Sequence, residues 1–253
     1  MISKNQIKFI KSLSIKKYRD QHQHAILEGY RLIEESIKSN VKIKYIYCTE
    51  KNYHKISNNK LFNSVEVFCI TDSESKSLSE TKNSQGIIAL IDIKKYFNNQ
   101  LNDINNENII ILDGVSDPGN LGTIFRNCIW FGIKSIILTN NSIDPFNLKC
   151  IRSGMGAHFY FNNIIQENNS QIIIEHLINN NYNIIVADLN GDDVSDISLN
   201  NNWALIFGSE AHGISKNFNK FQKITIEKVG DVESLNVSVA SGILLNELNK
   251  KIN

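Results

Sequence analysis

Only two of the 253 residues are proline and only four are cysteine. Cys48, Cys69, Cys128 and Cys150 are scattered, with no CxxC pair, which argues against a disulfide framework or a metal site and for a reducing, cytoplasmic setting. No apolar run approaches the roughly 20 residues that a membrane-spanning helix needs, so no membrane partner is expected. The basic N-terminus, MISKNQIKFIKSLSIKK, interrupts its apolar positions with lysines and lacks the apolar block and small-residue cleavage site of a signal peptide. The two common nucleotide loops are missing as well. No Gly-x-Gly-x-x-Gly follows a strand, and no Gly-x-x-x-x-Gly-Lys-Ser/Thr occurs anywhere. The glycines of SGMGAHF follow a predicted helix, so an ordinary dinucleotide or P-loop enzyme is disfavoured. There is no internal repeat.

What is present reads as a soluble globular protein, 42% hydrophobic and 21% charged. The net charge of +1 conceals an asymmetry. Residues 1–100 hold 17 Lys and Arg against 10 Asp and Glu, a net +7; the remainder holds 10 against 16, a net −6. A basic module beside an acidic one suits a polyanion-binding part joined to a part with another task, although clustered surface lysines give the same count.

The residue patterns place a small α/β domain over 1–93. HAILEGYRLIEESIKSN follows one helix face through Ile26, Leu27, Tyr30, Ile33 and Ile37. KIKYIYCTE, SVEVFCIT and GIIALIDI read as strands, with a short helix near SESKSLSE. Residues 94–108, polar and rich in Asn, read as a linker. Over 109–253 strands and helices alternate, which argues for a mostly parallel sheet covered on both faces. In such sheets ligands gather beyond the carboxyl ends of the strands. Three Gly-containing polar segments, DPGNLG, GSEAHGIS and VGDVESLN, fall at such ends.

Each segment carries candidate residues with an ordinary structural role. Pro118 fixes a turn, and Asn120 stands where a helix N-cap is expected. Arg126 lies at the edge of the face marked by Leu121, Phe125 and Ile129, where a surface or ion-paired arginine is common. Glu210 suits a helix start and Gly213 a turn; Ser234 and Asn236 suit helix caps. His212 is a lone loop histidine and is assigned no role.

Taken in order, DPGNLGTIFRNCIWFGIKSIIL, ALIFGSEAHGIS and VESLNVSVASGILLNEL resemble the three motifs of the SpoU (TrmH-like) RNA ribose 2′-O-methyltransferases, of the SPOUT class. The resemblance covers most of residues 109–248. ILEGYRLIEESIKSN and SLSETKNSQGIIALI are similar, less specifically, to the family's substrate-binding domain, which is related to ribosomal RNA-binding proteins.

The resemblance implies a C-terminal α/β domain whose last segment threads a trefoil knot and holds S-adenosyl-L-methionine (AdoMet) mainly through backbone groups, here at Gly208, Ile226 and Leu235. It implies a homodimer whose active sites take residues from both subunits, with Asn120, Arg126, Glu210, Ser234 and Asn236 as the functional positions. RNA is the implied partner, not DNA. Ribosomal RNA, 23S above all, is favoured, with transfer RNA and a non-catalytic, ribosome-associated RNA-binding role as alternatives. One departure stands out: the family often has Ile-Pro-Met at the strand end before its third motif, and this chain has Ile226-Glu227-Lys228.

Overall fold

The computed structural model describes residues 2–81, 83–199 and 202–251. The chain forms two units, Met1–Phe97 together with Asp144–Phe159, and Asn98–Ile143 together with Tyr160–Asn253.

The first unit runs α1 (Lys4–Ser12), α2 (Lys16–His22), β1 (His24–Glu28), α3 (Tyr30–Lys38), β2 (Ile43–Cys48), α4 (Glu50–Ser57), β3 (Val67–Cys69), α5 (Asp72–Leu78) and β4 (Ile87–Asp92). Its sheet has the order β1-β4-β2-β3, antiparallel except for the β2–β3 pair. Ile26, Tyr47, Ile88 and Leu90 from the sheet bury one core with Ile10 and Leu13. The helix expected from His24 onward is a correction: residues 24–28 form a strand paired with β4, and the helix starts at Tyr30. Gly29, at φ +110°, separates them in a backbone region that L side chains rarely adopt. Ile26 and Leu27 fit a helix stripe as well as a strand buried on both faces, so spacing alone could not decide. Ser3 and Gln6 form a reciprocal capping box that starts α1, a helix the residue pattern did not reveal.

Segment 94–108 contains two single helical turns, Lys94–Tyr96 and Leu101–Asp103, and buries Tyr96 and Ile104.

The second unit contains β5 (Ile109–Asp113), α6 (Pro118–Trp130), β6 (Ser135–Leu138), β7 (Asn163–Gln166), α8 (Ser170–Asn179), β8 (Asn183–Asp193), β9 (Trp203–Gly208), β10 (Gln222–Thr225) and α9 (Val237–Lys250). Its six strands are all parallel, in the order β10-β8-β9-β5-β6-β7. β7 is the edge strand beyond β6. Ile109, Ile111, Ile137, Val186 and Ile206 pack against Ile173, Ile174 and Leu177 of α8. Ile110 and Leu112 alternate to the other face and are equally buried, which gives β5 its continuous apolar run. Truncating one of these isoleucines to alanine costs about 2–5 kcal/mol. On a helical layer, α9 packs against α6 and β9.

The stretch between β6 and β7 leaves this unit. Its helix α7 (Leu148–Gly154) packs on β1 of the first unit. The buried Arg19 guanidinium holds Asp144 there, with Nε and Nη2 donating to Oδ2 at 2.8 and 2.5 Å, and its Nη1 donates to the carbonyls of Leu13 and Ser14 at 2.6 and 2.7 Å.

One register break shapes the second unit. β10 pairs Lys223 with Val186 but Ile224 with Asp192, so residues 187–191 of β8 are looped out of the ladder. Gly191 permits this, since a Cβ there would stand 2.6 Å from the Ile224 backbone.

Candidate active site

The carboxyl ends of β5 and β9 lie side by side, Asp113 opposite Gly208. A Cβ on Gly208 would meet the Gly213 carbonyl carbon at 2.5 Å and Ile214 N at 2.7 Å, so only glycine lets the following loop fold back so closely. Ser209 and Gly213 exchange both backbone hydrogen bonds, at 3.1 and 2.8 Å, and Gly213 takes φ +64°. Ser209 Oγ accepts from the amides of Ala211 and His212. Asp113 fastens the loop from outside: Oδ2 accepts from Ser215 N at 2.7 Å while Oδ1 accepts from Thr139 Oγ1 at 2.9 Å. The product is a closed loop that presents Glu210 at its tip.

The residue that caps α6 is Asp117, not Asn120. Asp117 Oδ1 accepts from Asn120 N at 2.8 Å, and Pro118 follows at the first helical position, where its missing N–H costs nothing. Asn120 therefore sits within the first turn with its side chain free for other work. Its Nδ2 donates to Glu210 Oε1, and its Oδ1 accepts from Asn236 Nδ2 at 2.9 Å. Asn236 is itself the N-cap of α9: its Oδ1 accepts from Ser238 N at 2.9 Å and Ser238 Oγ at 2.6 Å. The ordinary role and the candidate one coincide in this side chain. Three of the five expected functional residues are thus brought into one hydrogen-bonded row.

The other two are not part of it. Arg126 is exposed on α6 and has no hydrogen bond or ion pair within the chain among the described residues. Ser234 is exposed and lines the neighbouring cavity.

That cavity, of about 550 Å³, is bounded by the looped-out residues of β8, the 208–214 loop and residues 224–235 at the end of β10 and beyond it. Gly208, Ile226 and Leu235, the three expected cofactor positions, all line it, as do Glu210, Glu227 and Lys228. Leu189, Val229, Val232 and Leu235 leave large parts of their apolar surface exposed around it. Asp188 on the same wall is held below the usual carboxylate range by the Asn190 backbone N–H and then by Lys223, 2.9 Å away. Size, backbone-rich loops and an apolar wall suit a small organic cofactor such as AdoMet. Because the loop carrying Glu210 forms part of this wall, the hydrogen-bonded row and the cavity meet at Glu210.

Motif reading passed over three residues here: Asp113 and Asp117, which set the loops, and Asn127, which joins α6 to α9. The first two could have been found from their places, at a strand end and just before Pro118. Nothing in the sequence distinguishes Asn127 from its neighbours.

Comparison with known proteins agrees with this geometry. Residues 107–246 match the SpoU rRNA Methylase family, and residues 4–89 match the MRM3-like substrate binding domain. The chain is 28% identical over 250 residues to the Bacillus subtilis 23S rRNA (guanosine(2553)-2′-O)-methyltransferase RlmP, covering 97% of each protein. A Porphyromonas gingivalis structure assigned to the TrmH family of RNA methyltransferases superposes with a TM-score of 0.86 at 30% identity, covering 99% of both chains. An AdoMet-bound rRNA methyltransferase from Sinorhizobium meliloti superposes with a TM-score of 0.85 at 25% identity, over 100% of this chain and 98% of that one. The chain belongs to the SpoU rRNA Methylase family.

Proposed function

We propose that the protein methylates a ribose 2′-hydroxyl in structured RNA, with 23S rRNA as substrate and AdoMet as cofactor. The observation that carries this is Glu210, which lines the cavity and also closes the Asn120–Asn236 row. The name of the Bacillus relative and its full-length coverage support the choice of 23S rRNA. The net +7 of residues 1–100 suits the phosphate backbone of that partner.

AdoMet supplies an activated methyl group when bound. Gly208, Ile226 and Leu235 are the residues proposed to hold it. What remains for the protein is to place the hydroxyl in line and manage one proton. Arg126 is proposed to face the ribose. A guanidinium offers donors and no acceptor, so its role here is to stabilise charge developing on the ribose oxygen, and the hydroxyl proton passes to water. Asn120, Glu210 and Asn236 order the loops around that oxygen, and Ser234 offers a hydroxyl at the cavity edge.

The proposal includes a homodimer. Among the described residues Arg126 has no hydrogen bond or ion pair within its own chain, and Trp130 on α6 is 85% exposed, with Val239 51% and Ile243 37% on α9, apolar surface suited to a second copy. It includes the family's trefoil knot, which the out-of-order strands β10-β8-β9 and the looped-out residues of β8 support. It places the protein in the cytoplasm; among the described residues no helix is long and apolar enough to cross a membrane.

The test is transfer of labelled methyl from AdoMet to ribosomal and transfer RNA from cells lacking the gene. Methylation confined to tRNA would correct the substrate. AdoMet binding without transfer to either RNA would favour the non-catalytic reading.

A further inference from the structure

We infer that Asn127 is a positioning residue that fixes the rotation of α6 and, through it, the direction of Arg126; this rests on the methyltransferase reading above. Asn127 Nδ2 donates to the Ser238 carbonyl at 2.8 Å and to Ser241 Oγ at 2.9 Å, and Ser241 Oγ in turn donates to the same carbonyl at 2.8 Å. Ser241 is fully buried. Gly242 keeps the two helices close at this point, since a Cβ there would stand 3.3 Å from Asn127 Nδ2.

The clamp has a second jaw. Asn120 accepts from Asn236 at 2.9 Å, seven residues before Asn127 on α6 and two residues before Ser238 on α9. Seven residues are about two turns, so Asn120 and Asn127 fall on one stripe of α6, roughly 10 Å apart along its axis. Two attachments on one stripe oppose both rotation and sliding of the helix against the first turn of α9. Arg126 precedes Asn127 by one residue, about 100° around the helix, and projects away from that stripe. Among the described residues it has no hydrogen bond or ion pair of its own, so its direction is set by the orientation of α6. Asn127 does not line the cavity, and among the described residues it makes no direct hydrogen bond to Asn120, Glu210 or Asn236, which makes its effect indirect.

The test uses the full-length protein with Asn127→Ala and Asn127→Asp, the second being isosteric but unable to donate to the Ser238 carbonyl. Both are expected to lower kcat for RNA methylation about tenfold or more, while the AdoMet dissociation constant and the RNA KM stay within about threefold, since small misplacement of a reacting group acts on the chemical step. In an Arg126→Lys background, whose residual activity no longer depends on guanidinium direction, the same substitutions are expected to cost little more. Ser241→Ala, which removes one of the two acceptors, should give an intermediate loss and serves if Asn127→Ala fails to fold. Unchanged kcat in both Asn127 variants, or a full additional loss in the Arg126→Lys background, overturns the inference. Absence of transfer by the wild-type chain on any RNA would instead remove the methyltransferase reading. The clamp is then read from hydrogen exchange at the first turn of α9, which speeds up in Asn127→Ala if the clamp holds and is unchanged if it does not.

Discussion

Asn120 donates to Glu210 through its amide nitrogen and accepts from Asn236 through its amide oxygen. The order is forced: a carboxylate can only accept, so the Asn120 nitrogen must face Glu210, and its oxygen then needs the donor that Asn236 supplies. Asn236 is left with its own oxygen for the α9 amide, where it serves as the N-cap. Loop 208–214, helix α6 and helix α9 are thereby locked in one orientation by Asn120 and two side chains that lie 90 and 116 positions further along the chain.

Replacing Asn120 tests the direction of this row. Asn120→Ala removes both bonds, whereas Asn120→Asp sets a second carboxylate against Glu210 and adds repulsion to the loss. Methyl transfer is expected to fall about tenfold or more in the first variant and further in the second, as for hydrogen bonds that involve a charged group. Glu210→Gln, whose amide oxygen still accepts, should keep more activity than Glu210→Ala. Equal rates for Asn120→Ala and Asn120→Asp would show that Glu210 does not face this residue during the reaction.

Arg126 is expected to act through charge and shape together. Arg126→Ala should lower kcat by about a hundredfold or more, the scale for removing one preorganised stabiliser of developing charge. Arg126→Lys should recover only part, because an ammonium lacks the planar fork. Both variants should bind AdoMet like the wild type in calorimetry, since Arg126 does not line the cavity. A loss confined to AdoMet affinity would move Arg126 to the cofactor site.

Much of the fold was legible because the second unit is written in continuous apolar strands. Ile109–Leu112 and Trp203–Phe207 are buried along their whole length, and few other structures accept such runs. The row at Asn120 was legible only in part. Its members could be picked out from three separated segments, but their contacts depend on the Gly208–Gly213 fold-back and on the cap at Asp117, both set by tertiary packing. Strand β1 was not legible as a strand because Ile26 and Leu27 satisfy two periodicities, and the decision rests on pairing with β4, 60 to 68 positions further along the chain. The placement of Asp144–Phe159 with the first unit turns on the buried Arg19–Asp144 pair, whose members are 125 positions apart.

Gly208→Ala should separate cofactor binding from folding. The added methyl would lie 2.5 Å from backbone of Gly213, so the loop must shift, whereas the rest of β9 stays paired with β5 and β8. AdoMet affinity is expected to drop about tenfold or more, with a loss of stability near 1–3 kcal/mol, typical for overpacking. Calorimetry and thermal unfolding read the two effects. Full AdoMet affinity in this variant would place the cofactor away from the 208–214 loop.

His158 gives the first unit a pH dependence of defined sign. It is fully buried, its Nε2 donates to the Pro145 carbonyl at 2.8 Å, and burial pushes its pKa down to about 4 from 6.5, with the hydrogen bond opposing the shift. Above pH 6.5 the imidazole is neutral in folded and unfolded chains alike, and its contribution to stability is intact. Between about 6.5 and 4 only the unfolded chain takes up the proton, so stability falls with falling pH, by up to about 3 kcal/mol at the lower end. Below about 4 both states are protonated and this contribution no longer changes. Denaturant unfolding of the wild type and of His158→Gln, which keeps a donor but does not titrate, should diverge in slope over that window and run parallel above it. Parallel curves from pH 7 to pH 4 would mean that His158 is protonated to the same extent in the folded and the unfolded chain.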